Sequence, residues 1–237
     1  VYVVAAYLSA YNARAFGVRD YIAQYMFNSP PGTSDAMDLA KMLAIQTLIS
    51  PLRDDNFKIW TQTRTGLLSY PLEPSAARAH LASSVYLQMA LKPDIVHVVG
   101  FTEADHAATA DDVIESCLIA RRSIENALRG APDMTADSKI KTRKNWLVGE
   151  AQIMIQAIID LSENPSIDPL TDPVVLSNAV KIGILDAPQL RNNKFARGEI
   201  QTRIVNGACV SVRANGKTLA EKYRLEDLMR QPKGAKK

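Results

Sequence analysis

Residues Asp94–Phe101, DIVHVVGF, form a near-continuous apolar run rich in β-branched side chains. Such a run predicts a strand covered on both faces, as parallel strands are. A polar loop, residues 102–108, follows it, and Thr109 with Asp112 has the spacing of a capping box. The helix that opens there carries Val113, Cys117, Ile124 and Leu128 on one apolar stripe and is ended by Gly130. Its stripe is expected to face the core, with His97 a satisfied core histidine in mid-strand.

The same unit repeats upstream. Phe57–Gln62, FKIWTQ, reads as a strand, the segment 63–74 as its loop, and Ala77, Leu81, Val85 and Met89 as the face of a helix stopped by Pro93. Before it, Tyr21–Asn28, YIAQYMFN, reads as a buried strand closed by Ser29-Pro30-Pro31-Gly32. Thr33 or Ser34 caps the next helix, whose face is Met37, Ala40, Leu43, Ala44 and Leu48. Val4, Leu8, Tyr11 and Ala15 predict a helix stopped by Gly17, and because the chain begins with Val1 in mid-pattern, a missing N-terminal part is expected. Strand and helix alternation demands parallel βαβ crossovers, so the class is α/β. A doubly wound sheet and part of a β/α barrel both satisfy it.

Past Ala131 the pattern changes. A long helix over Ser138–Leu161, a short one from Pro173 to Gly183, and Thr202–Val212, TRIVNGACVSV, follow. The Asn206-Gly207 pair inside the last is a type I′ hairpin signal. The expected organisation is therefore 1–130 as βα units and 131–237 as a C-terminal helical extension with a β-hairpin and a basic tail.

Hydrophobic residues at 47% and charged residues at 22% describe an ordinary folded chain rather than a disordered one. Lys and Arg number 28 against 25 Asp and Glu, and Lys233, Lys236 and Lys237 account for part of the net +3, so no basic face for nucleic acid is expected. No apolar run reaches membrane-spanning length, and no membrane partner is expected. Cys117 and Cys209 lie far apart without a CxxC pair, which favours a reducing, cytoplasmic location. With 3 histidines and no paired His, Cys or acid spacing, no catalytic metal is expected. There is no GxSxG motif.

In α/β folds ligands meet the carboxyl ends of parallel strands. Three loops qualify here. Asn28, Ser29 and Thr33 bring amide and hydroxyl groups to a helix start, either to hold a polar group or simply as a capped turn. Thr63 and Arg64, followed by Tyr70, offer a guanidinium for a carboxylate or amide, or a surface pair with Glu73. Glu103 and His106 bring a carboxylate and an imidazole to the third loop, for proton transfer or merely as solvated helix-entry groups.

The order of several segments carries a resemblance. Ala15-Phe16-Gly17-Val18-Arg19-Asp20, Asp38-Leu39-Ala40, Tyr70-Pro71, Glu103-Ala104, Leu185-Asp186-Ala187-Pro188 and Asn193-Lys194-Phe195-Ala196-Arg197-Gly198 resemble the large subunit of methylaspartate (glutamate) mutase. Met26-Phe27-Asn28 and His97-Val98-Val99 are similar to the large subunit of ornithine aminomutase. These families imply a TIM-type β/α barrel, of which this chain would supply the C-terminal part. They also imply adenosylcobalamin as cofactor, a flavodoxin-like cobalamin-binding subunit or domain as partner, a chain or segment supplying the remaining strands, and a small amino-acid substrate. Whether pyridoxal phosphate participates is left open. By position, Glu103 matches a family glutamate near the cofactor's ribose, and it and Arg64 are the expected catalytic pair. Asn28, Ser29, Thr33, Thr63, Tyr70, Glu103 and His106 are the expected cofactor contacts. Val99 stands where the mutase pattern has Lys and Arg64 where it has His, which leaves the substrate open. A non-catalytic barrel fragment serving as a binding or assembly module is the alternative.

Overall fold

The computed structural model describes residues 1–230; the basic tail lies outside the described residues. Helix α1 (Tyr2–Ala15) leads into strand β1 (Asp20–Phe27), helix α2 (Asp35–Ile49), strand β2 (Lys58–Thr65), helix α3 (Pro74–Gln88), strand β3 (Ile95–His97) and helix α4 (Ala110–Leu128). Then come α5 (Ser138–Ile159), α6 (Pro173–Ile182), the hairpin β4 (Gln201–Val205) and β5 (Ala208–Val212), and α7 (Glu221–Arg230). The three strands β1, β2 and β3 pair in chain order, both pairs parallel. The chain is therefore α/β.

Burial in the sheet follows the two-residue period of a pleated strand. Ala23, Tyr25 and Phe27 of β1 and Ile59, Thr61, Thr63 and Thr65 of β2 are buried beneath the helices. The alternate residues Ile22, Trp60 and Ile95 are exposed. Helices thus cover one face, and the other is open. A doubly wound sheet covers both faces and reverses its strand order. Sequential order with one covered face is the arrangement compatible with part of a barrel.

Local chemistry sets the element ends. Ser34 caps α2 by accepting from Met37 N, while the Thr33 hydroxyl donates to Pro30 O instead. The Thr109–Asp112 capping box forms as its spacing predicts. Gly183 ends α6 in the left-handed region, and Asn206 and Gly207, both at positive φ, make the hairpin turn.

Three expectations change. Strand β3 is shorter than Asp94–Phe101, because Val99 and Phe101 leave the sheet to pack with Tyr70, Ala77, Leu81 and Val85 in a second core cluster. Strand β2 runs three residues past Gln62, so Thr63, Arg64 and Thr65 belong to the sheet rather than to a loop. In α4 the small residues Ser116, Ala120 and Ser123 are buried, while Val113, Cys117 and Leu128 are exposed. Small side chains let α4 approach α3 closely, and the large ones are left on its outer flank.

The region past residue 131 shares the main core instead of forming its own. Ile140, Ala151, Met154 and Ile158 of α5 join Val4, Leu8, Leu39, Met42 and Ile45 in one cluster. Arg224 of α7, itself buried, donates to the carbonyls of Gly183 and Ile184 and pairs with Glu221. Asp186 accepts from the amides of Gly198, Glu199 and Ile200, anchoring the segment before the hairpin.

Candidate functional site

The carboxyl ends of β1 and β2 are held by a buried polar network that begins with Ser84 of α3. Its hydroxyl donates to Asn28 Oδ1 at 2.6 Å and accepts from Thr65 Oγ1 at 2.9 Å and Gln88 Nε2 at 3.0 Å. Gln88 also donates to Thr65 Oγ1 at 3.1 Å. Asn28 turns the chain out of β1 at φ 56°, a conformation asparagine tolerates better than most residues. Its amide donates to Asp38 Oδ2, and Lys41, paired with Asp38, donates to the carbonyl of Ser29. Burial pushes the Asp38 carboxyl above the usual carboxylate range against the opposing pull of Lys41 and the Asn28 amide. The loop after β1 is therefore fixed from beneath by groups that the sequence reading did not single out as site residues. Their signal is available: Asp38, Met42, Ile45 and Ile49 share one helix face, so a charged residue sits among core positions.

The hairpin reaches the same loop. Ser34 N donates to Gly207 O at 2.8 Å, and a Cβ added to Gly207 would stand 2.4 Å from Ser34 Oγ. Thr33 is tied into its own turn and Ser29 offers its carbonyl to Lys41, so both residues shape the loop.

In β2, Arg64 lies on the open face and its Nε is buried without a partner among the described residues. Glu73, the alternative partner for Arg64, instead caps α3 by accepting from Ser75 N and Ala76 N. Thr63, expected as a cofactor contact, is fully buried on the helix side, because adjacent strand residues point to opposite faces. Gly66 follows where any side chain would meet Phe27 O at 2.8 Å. Tyr70 is buried, donates to Val99 O at 3.2 Å and has its phenol pushed up to about 12, chiefly by burial. It ties the second loop to the third. The imidazole of His80 lies 2.8 Å from Ser69 Oγ and edge-on to the Tyr70 ring, and burial lowers its pKa.

In the third loop Glu103 Oε1 accepts from Gly100 N at 2.6 Å, while its Oε2 has no partner among the described residues. Thr102 Oγ1 nearby is buried and unpartnered. His106 is exposed and sits 3.0 Å from Asp105, in a surface pair rather than a cleft. His97 is not a core residue: it is exposed on the open face.

Strand register assembles what the sequence kept apart. Met26, Arg64 and His97 form one row across the open face near the carboxyl ends, with Gln24, Gln62 and Ile95 in the row beneath. Gln24, Gln62, Met26 and His97 were missed as site residues, although polar residues in phase with Arg64 at spacing two were there to be read. Two grooves lie elsewhere. One of about 410 Å³ is lined by Arg14, Arg19, Asp54 and Phe57 below the strands, and an apolar one of about 450 Å³ by Val1, Leu8, Val180 and Leu185.

No known family model matches this sequence, and no curated protein is found to be similar to it. Among the described residues no helix is long and apolar enough to cross a membrane. The site is thus read from its own chemistry: a guanidinium with a free buried Nε, a half-free carboxylate and an unpartnered hydroxyl at the ends of parallel strands. These suit a ligand with hydroxyl, amide and acidic groups.

Proposed function

We propose that this chain is the barrel component of a cytoplasmic, adenosylcobalamin-dependent radical isomerase, a carbon-skeleton mutase or aminomutase acting on a small amino acid. The observation that supports the reading is the open row of Met26, Arg64 and His97, which closure of a barrel would turn into an enclosed site. The order of motifs shared with the mutase and aminomutase large subunits supports the cofactor assignment. When bound, that cofactor supplies the radical by cobalt–carbon homolysis.

This chain's own residues would bind and orient. Glu103 keeps Oε1 on Gly100 N and offers Oε2 to a sugar hydroxyl, and Thr102 Oγ1 offers a second polar contact. Arg64 offers Nε to a carboxylate or amide. Asn28, Ser29 and Thr33 shape the loop beside them, and Tyr70 holds two loops together. The reading implies a flavodoxin-like partner for the lower face of the cofactor and a chain or segment for the remaining strands. A binding or assembly module without catalysis is the competing reading, favoured by the engagement of Glu103 with its own loop.

The test is Glu103→Gln and Arg64→Met in the enzyme reconstituted with its cobalamin-binding partner, following turnover, cofactor affinity and melting temperature. Losing one charge-assisted hydrogen bond costs about 1.5–3 kcal/mol, or one to two orders of magnitude in function. Unchanged turnover in both variants overturns the assignment.

A further inference from the structure

Helix α5 buries Ile140, Ala151, Met154 and Ile158 in the main core and leaves its opposite side open. On that side Lys139, Trp146, Gly149, Ile153 and Asp160 recur at spacings of three, four and seven, the period of one continuous helix face. Trp146 is 41% and Ile153 38% exposed, and neither packs in a core cluster. The Arg143 guanidinium lies over the Trp146 ring at 4.3 Å, which fixes the indole in place. Lys139 and Asp160, at the ends of the stripe, are exposed, and Asp160 accepts only from Gln156 Nε2 of its own helix, at 2.8 Å.

Two features of this face have no reason within the chain. Gly149 stands in mid-helix, where only proline is a poorer helix former, yet a Cβ added to it would meet nothing within 4 Å. Charge is also segregated along the helix. Residues 138–144 hold Lys139, Lys141, Arg143 and Lys144 and no acid, while residues 145–160 hold Glu150 and Asp160 and no base. The helix dipole favours the reverse order.

We infer that this face is a contact between two copies of the chain, whose α5 helices pack antiparallel about a two-fold axis. Trp146 and Ile153 lie equally far from the point between Gly149 and Glu150, and so do Lys139 and Asp160. An antiparallel copy centred there sets Trp146 against the partner's Ile153 and Lys139 against the partner's Asp160, each pair occurring twice. The basic half of each helix meets the acidic half of the other, and the bare backbone at Gly149 lets the axes approach where they cross. A crossing of about 20° keeps both ends of the stripe in contact. A second copy is selected over a different protein because the apolar pair and the charged pair share one centre, as a two-fold contact requires. The inference is independent of the isomerase reading.

The mass of the purified chain is followed by sedimentation equilibrium over a range of concentrations, with reductant present so that exposed Cys117 cannot link copies. A reversible rise from one chain mass to two is the expected result. Ile153→Asp should hold the chain at one mass with its circular dichroism unchanged, since the residue lies outside both core clusters. Lys139→Glu and, separately, Asp160→Lys should each weaken the dimer about tenfold, because each sets two pairs of like charge against one another. Both substitutions suit the helix dipole, so the fold is kept. The two together should restore the parent's affinity. A chain that stays monomeric at every concentration overturns the inference and leaves the face to a different partner. A dimer untouched by Ile153→Asp overturns it too, by assigning the contact to another surface. So does a charge series in which the single variants bind as tightly as the parent, or the double variant no better than the single ones, which denies the antiparallel register.

Discussion

Replacing Ser84 by alanine tests whether the polar network beneath the strand ends holds the site. The residue is 2% exposed, and its hydroxyl serves Asn28, Thr65 and Gln88. Removing it leaves the carbonyl of Asn28 without its donor and the Thr65 hydroxyl without an acceptor. Gln88 Nε2 retains Thr65 Oγ1 at 3.1 Å, so it is not orphaned. A buried polar group left unpaired costs about 1–3 kcal/mol. The void left by one oxygen is small, so the polar loss dominates. Thr65 keeps one of its two bonds, and the sum is set at about 2 kcal/mol. For a chain of this length that corresponds to a fall in melting temperature of about 4–8 °C. Ser83→Ala is the control: the neighbouring hydroxyl only donates to His80 O on an exposed surface, and its loss should stay within about 0.5 kcal/mol. Chemical denaturation of both variants gives the difference. Ser84→Ala unfolding at the same midpoint as Ser83→Ala would refute the reasoning, and the strand ends would owe their order to apolar packing.

Further expectations follow from the same geometry. Tyr70→Phe removes the bond to Val99 O and should cost about 1 kcal/mol, and in spectrophotometric titration it should remove one of the several phenols that resist ionisation, Tyr11 and Tyr25 being others. For His80 the folded-state pKa lies below its ordinary value because of burial, so the unfolded chain takes up the proton first. Stability should therefore be complete above the ordinary histidine pKa and fall as pH drops from there toward the folded value, and a His80→Gln variant followed by urea denaturation should lack that part of the fall. Gly207→Val should lift the hairpin from Ser34, seen as faster amide exchange at Ser34 with helix content retained; unchanged exchange would show that the hairpin contact does not hold the loop.

The alternation of apolar runs with capped amphipathic helices was legible in the chain as written. Hydrophobic period and capping chemistry are local, and so the parallel strands, the capping box at Thr109 and the Asn206-Gly207 turn could be read before any coordinates. Arg64 and Glu103 could be marked as candidates because they follow apolar runs. Tertiary structure alone decided which side of each element meets protein. It placed Thr63 under the helices and Arg64 on the open face, although the two are adjacent, because strand phase relative to the covering layer is a property of the assembled sheet. It turned Val113, Cys117 and Leu128 of the α4 stripe outward and kept Ile124 against the second core cluster, since the small residues allow the closer helix contact. It also brought Met26, Arg64 and His97 into one row from three separate strands, a juxtaposition that depends on inter-strand register and so on contacts distant in sequence.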